Sequence, residues 1–170
     1  PYRPEVDIAD DVHAADAWQV LLGEVNPGAS VVVADWRCDW VGVGVAEKLA
    51  REGCNVRLCV EGVHAGQNLQ MYLRDHWAGE LHKLGVQVTP YARLFGADGD
   101  TVYFQHASSG EPIVLEQVDT LVMAQGHQPQ IALEQALMDL DVIVLLVGDC
   151  LSPRSAEEAV YEGYMAAREI

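Results

Sequence analysis

The stretch from residue 30 to residue 60 constrains the fold more than any other. SVVVA at 30–34 is a short β-branched run of the buried-strand type. Residues 41–50 follow with Val45, Ala46 and Leu49 on one helical face, and Gly53 stands where a helix C-terminal glycine belongs. Residues 56–60 form a second apolar run. Strand, turn, helix and strand within about thirty residues make a βαβ unit, which implies parallel strands and a right-handed crossover.

The flanking sequence extends this pattern. Residues 67–84 carry Leu69, Leu73, Trp77, Leu81 and Leu84 at helical spacing, Gly85 closes them, and 86–90 predicts a third strand. Runs at 93–95, 101–105 and 112–115 are separated by Gly-, Asp- and Ser-rich turns, the pattern of a β-meander. Residues 121–124 and 142–147 read as further buried strands. Helices are expected over 14–22, 131–139 and 155–169, the last with Ser155 and Glu158 at capping-box spacing. The fold class expected is α/β: a Rossmann-like parallel sheet with helices on both faces and an antiparallel β-meander. Ligands in such sheets lie at the carboxyl ends of the strands, which points to residues 35–44, to Glu61 and to Gly148 with Asp149.

The first of these turns is Asp-Trp-Arg-Cys-Asp-Trp-Val-Gly-Val-Gly, residues 35–44. A dinucleotide turn normally carries Gly-x-Gly-x-x-Gly, so that bare backbone meets the pyrophosphate at a helix N-terminus. Here Gly42 and Gly44 come late, and the simplest role for them is close packing of helix on sheet. Asp35 and Asp39 would each repel a phosphate by on the order of 4 kcal/mol at about 4 Å and an effective dielectric of about 20. Arg37 offsets part of this. Trp36 and Trp40 either stack on an adenine or flavin or pack as plugs of an emptied pocket. Glu61, about twenty residues after the turn, is placed to accept hydrogen bonds from a ribose, or is a solvated strand-end acid. Gly148 and Asp149, between an expected strand and a helix, suit a polyol or ribose, or form a plain turn.

Composition narrows the function classes. Ten basic residues against twenty-six acidic ones give a net charge of −16, so nucleic acid and anionic membranes are poor partners. No apolar run approaches the roughly 18 residues of a membrane-spanning helix. The four cysteines, Cys38, Cys54, Cys59 and Cys150, lack CxxC spacing, and none of the six histidines shows a ligand spacing, so no metal site is expected. Scattered cysteines without a visible signal peptide fit a cytoplasmic location. No nucleophile–base or paired-carboxylate constellation is present, so any redox chemistry would belong to a bound cofactor.

Three segments resemble a known family: VVVADWRCDWVGVGVAEKLAREGCNVRLCVEG, LVMAQGHQPQ, and VGDCLSPRSAEEAVYEGYMAAREI, with the opening PYRPE. They are similar to the C-terminal part of the flavoproteins that include 2,4-dienoyl-CoA reductase, trimethylamine dehydrogenase and related N-demethylating dehydrogenases. The resemblance implies two intertwined dinucleotide folds. Residues 1–27 and 118–170 would belong to a partial outer fold for FAD or ADP, and 28–117 to an inserted, NAD(P)-binding-like fold. Asp149 would then meet the FAD ribityl or pyrophosphate region, and Gly126 would sit at the turn where the family has Ala-Thr-Gly, with Gln125 in place of threonine. The degenerate loop at 35–44 is closer to the amine dehydrogenase branch, which leaves NAD(P) use open. FMN, an iron-sulfur cluster and the barrel that carries them would lie outside these 170 residues, in a further domain or a partner subunit. The chain, which begins with Pro1, would be a fragment or a subunit. The other expectation is a non-catalytic, degenerate Rossmann module whose loop is closed by Trp36 and Trp40 and which packs against a partner or stabilises an oligomer.

Overall fold

The computed structural model describes residues 1–169. In chain order the elements are β1 (Asp7–Ile8), β2 (Ala14–Asp16), α1 (Ala17–Leu22), β3 (Ser30–Asp35), α2 (Trp40–Arg51), β4 (Asn55–Val60), α3 (Met71–Lys83) and β5 (Gln87–Thr89). There follow β6 (Ala92–Asp98), β7 (Thr101–His106), β8 (Pro112–Leu115), β9 (Thr120–Ala124), α4 (Ala132–Leu137) and α5 (Ala156–Ala166). The chain divides into two compact units, residues 1–126 and the residues from His127 on.

The first unit is built on a five-stranded parallel sheet of order β2-β9-β3-β4-β5. β3 is central, with Val33 beside Leu58 on one side and Val122 on the other. A strand covered on both faces has no polar face to alternate, which is why 31–34 reads as an unbroken apolar run. Val31, Val33, Leu58 and Val60 meet α1, α2 and α3 through Val20, Val45, Leu49 and Leu81. Val32, Ala34, Cys59 and Leu121 meet a second sheet of order β1-β6-β7-β8, around the buried Phe104. The α/β class with a parallel sheet and an antiparallel meander is therefore as expected. In the arrangement of layers, the helices of this unit lie on one face and the meander covers the face where further helices were expected.

Three local expectations are corrected. Residues 14–22 are not all helix: Ala14–Asp16 is a strand parallel to β9, and α1 begins only after it. Asp16 ends that strand and caps α1, its carboxylate accepting from Gln19 N–H while the Gln19 side chain accepts from Asp16 N–H. The helix expected over 67–84 starts at Met71, because residues 66–69 are a turn closed by Leu69 N–H to Gly66 C=O at 2.9 Å. The strand expected at 142–147 is absent: these residues are unpaired and Ile143 is 84% exposed.

That last run lies in the second unit, which comprises α4, a short 3-10 turn at Gly148–Cys150 and α5. The capping box expected at α5 is present, with Ser155 accepting from Glu157 N–H and Glu158 accepting from Ser155 N–H. Gly148 is the only buried residue among the described residues of this unit. Strands β2 and β9, inside the 1–27 and 118–170 expected for an outer fold, share one sheet with β3–β5, and the compact units divide at residue 126.

Candidate functional site

The carboxyl edge of β3 carries the turn with the most unusual chemistry. Asp35, its last residue, is 2% exposed. Its Oδ1 accepts from Cys38 N–H at 2.8 Å, while Oδ2 is buried with no hydrogen-bond partner. Burial is the main cause that pushes this carboxyl up to about 7; the Cys38 amide and Arg37 pull it back and nearby Asp39 adds to the rise. Gly42 makes room for it. A β-carbon on Gly42 would stand 2.2 Å from Asp35 Oδ2. Gly42 thus lets α2 approach the end of β3, and the room left by its missing side chain is filled by the Asp35 carboxylate. At Gly44 an added β-carbon would meet nothing nearer than Trp77 of α3, at 3.8 Å.

Asp39 is the N-cap of α2 and accepts from Val41 N–H at 2.9 Å. Its other oxygen accepts from Arg37 Nε at 2.9 Å. The helix N-terminus, where a dinucleotide pyrophosphate would lie, is therefore served by the chain's own carboxylates. Cys38 takes φ +51° and is buried; its sulfur accepts from Gly62 N–H at 3.3 Å and so joins this turn to the end of β4. Desolvation, with Asp35 nearby, raises the Cys38 thiol to about 11. Asn68 closes the other side by donating to the Arg37 carbonyl at 2.6 Å.

The two indoles fill no interior space: Trp36 is 51% and Trp40 55% exposed. Trp36 and Arg37 lie over Gly126, where a β-carbon would be 3.2 Å from Arg37 Cδ and 3.4 Å from the Trp36 ring. Gly126 has φ +104°, a conformation that favours glycine, and its carbonyl accepts from Tyr2 N–H. Gln125 is buried and donates to Ala34 C=O at 2.8 Å, fixing β9 to β3 just behind the turn. Glu61 N–H donates to Asp35 C=O at 3.1 Å, so Glu61 lies at the same sheet edge. Its carboxylate is engaged by Arg93 of β6 at 2.7 Å.

Asp35, Trp36, Arg37, Gly42, Glu61 and Gly126 are thus brought together, with Gly44 one turn further along α2. Gly148 and Asp149 lie in the second unit. Gly148 has φ +64° and donates its N–H to Glu162 at 2.7 Å, while the Asp149 side chain is exposed. Because 142–147 is unpaired, neither residue ends a strand. Three contributors escaped sequence reading, Cys38 as the tie to β4, Asn68 and Arg93, while Gln125 was noted there without its bond to Ala34. None of these contacts had a signal in the sequence: Arg93, for instance, lies in the meander, thirty-two residues beyond Glu61. Among the described residues no group of three His, Cys, Asp or Glu side chains is placed to hold a metal, and no helix is long and apolar enough to cross a membrane.

No protein-family model matches the chain. A bilirubin reductase from Mediterraneibacter gnavus (strain CC55_001C) is 32% identical over 166 residues, which cover 96% of this chain and 25% of that protein. Histamine dehydrogenase from Rhizobium sp. 4-9 superimposes with a TM-score of 0.84 at 19% identity, over 97% of this chain and 27% of that one. A 2-naphthoyl-CoA reductase in complex with 2-naphthoyl-CoA also gives 0.84, at 23% identity, over 100% of this chain and 25% of that one. The chain spans about a quarter of the length of these proteins. It resembles the FAD/NAD(P)-binding region of the flavoprotein oxidoreductases that include 2,4-dienoyl-CoA reductase and trimethylamine dehydrogenase.

Proposed function

We propose that this chain is the nucleotide-binding region of a flavin-dependent oxidoreductase of the amine dehydrogenase or enoate reductase type. In this reading it holds FAD or ADP, and substrate chemistry takes place on FMN in a barrel domain or subunit that also carries an iron-sulfur cluster. The observation that carries the reading is the parallel five-stranded sheet with its β3-α2-β4 crossover, and the α2 turn limits it. Strand, helix and crossover of a dinucleotide fold are all present, yet Asp39 caps the helix and Asp35 Oδ2 lies buried behind it. These residues do not fit a pyrophosphate at that turn, so no NAD(P)H-dependent step is assigned to it. The reading places residues 28–117 in an inserted fold, with residues 1–27 and 118–170 forming part of an outer fold for FAD or ADP. The pairing of β2 with β9 and of β9 with β3 supports extending the inserted fold to residues 14–126. The exposed Asp149 would accept hydrogen bonds from the flavin's ribityl chain.

Native tryptophan fluorescence, titrated with ADP, FAD, NADH and NADPH, tests this. Saturable quenching by ADP or FAD is expected, with NADH and NADPH weaker. Silence towards all four at about millimolar ligand overturns it.

A second reading, a non-catalytic module docked on a partner, is favoured by one observation. Among its described residues the second unit buries only Gly148 and leaves Val160, Tyr161 and Tyr164 exposed on α5. Fluorescence silence combined with stable association with an FMN-bearing barrel protein would put this reading first.

A further inference from the structure

A cavity of about 520 Å³ opens between α3, the loop after β4 and the edge strand β5, away from the α2 turn. Its floor is apolar: Ala65, Ala78, Leu81, Val86 and Val88. Its rim carries Arg74, His64 and His82 against a single acid, Asp75. In a chain of net charge −16 this balance is unusual. Neighbouring cations are consumed by carboxylates: Arg51 meets Glu47 at 2.8 Å and Lys83 meets Glu80 at 2.7 Å. Arg74 instead donates to His64 Nε2 at 3.2 Å, and its nearest carboxylate, the exposed Asp75, is 3.9 Å away. A guanidinium whose ion pair is this long and this exposed to solvent keeps much of its positive charge at the mouth of an apolar cavity. That is the chemistry of an anion receptor with room for a hydrophobic body.

We infer that this cavity is a binding site for a small organic anion with an apolar body, the anionic group meeting Arg74 and the body lying on Leu81, Val86 and Val88. The site stands apart from the nucleotide reading above and does not depend on it. The β5 edge supplies Val88, and α3 supplies both the cation and the Leu81 floor.

A matched pair of fluorescent probes tests the inference. 1-Anilinonaphthalene-8-sulfonate and N-phenyl-1-naphthylamine share the same aromatic body, and only the first carries an anion. Each is titrated into the chain and into its Arg74→Gln and Val88→Asp variants, with circular dichroism confirming the fold of each. The sulfonate is expected to bind saturably and to weaken at least about tenfold in Arg74→Gln, the effect of losing a charge-assisted hydrogen bond. The neutral amine should be unchanged by that substitution. Both probes should weaken in Val88→Asp. Sulfonate binding that is indifferent to Arg74→Gln, or equal loss of both probes in that variant, overturns the inference. Should Arg74→Gln fail to fold, Val88→Asp alone decides: unchanged sulfonate affinity there also overturns it.

Discussion

Two apolar runs of the same texture meet opposite fates in this molecule. Residues 30–35 become the central strand of a five-stranded sheet, with Val33 wholly buried between Leu58 and Val122. Residues 142–147, as rich in β-branched side chains, stay unpaired and largely exposed. Propensity is common to both; neighbours are not. A strand gains from its own side chains only when another strand satisfies its backbone and a second layer covers its face. β3 has β4 and β9 beside it and two layers around it, whereas the second unit buries only Gly148 among its described residues.

The sharpest way to break this contrast is to delete an apolar group from each region. Leu58→Ala in the central sheet should cost about 2–5 kcal/mol in urea unfolding, and Val144→Ala about 0.5 kcal/mol or less. Equal costs would mean that the run at 142–147 is packed after all.

The next effect is electrostatic and belongs to the buried region alone. The Asp35 carboxyl is raised from 3.8 to about 7, so between those values the folded chain holds a proton that the unfolded chain has released. Its contribution is complete below about pH 4 and is lost as pH rises towards 7, a total of a few kcal/mol. Asp35→Asn should therefore gain stability relative to the parent between pH 5 and pH 8. A constant difference across that range would refute the burial of a charged oxygen.

Gly42→Ala comes third. Its β-carbon would press on Asp35, at a cost of about 1–3 kcal/mol. In an Asp35→Ala background the cost should shrink by at least about 1 kcal/mol, because the two positions share one space. Additive costs would separate them. The smallest effect concerns ligand: above about pH 7, where Asp35 is ionised, replacing Asp35 and Asp39 by glycine should tighten NADH or NADPH binding by about tenfold, as repulsion is removed. Unchanged or weaker binding would sink the electrostatic account of the turn.

The same contrast explains what could be read from sequence. The elements β3, α2 and β4 were legible because burial on both faces leaves an uninterrupted apolar pattern and helix ends carry caps. The parallel pairing of the two-residue β1 with β6 was not, since two residues carry no period. Asp16 was missed as a cap because it also ends a strand, and 14–22 has helical spacing throughout. At the site, the residue types of 35–44 were visible and their awkwardness towards phosphate was legible. What could not be read was that Asp35 points inward onto Gly42, since a charged residue at a strand end is ordinarily solvated. Glu61 was placed by its spacing, but its partner Arg93 comes from the meander, thirty-two residues on and in the other sheet.

The tie between Cys38 and Gly62 has a kinetic consequence. Cys38 and Cys59 are buried and their thiols are raised to about 11 and about 12, so neither offers thiolate to an alkylating reagent while the fold is closed. Modification of Cys38 must wait for the turn to open, and modification of Cys59 for the sheet to part from the meander. The chain thus carries two clocks, one at each depth, whose labelling rates report how often the loop breathes and how seldom the core does.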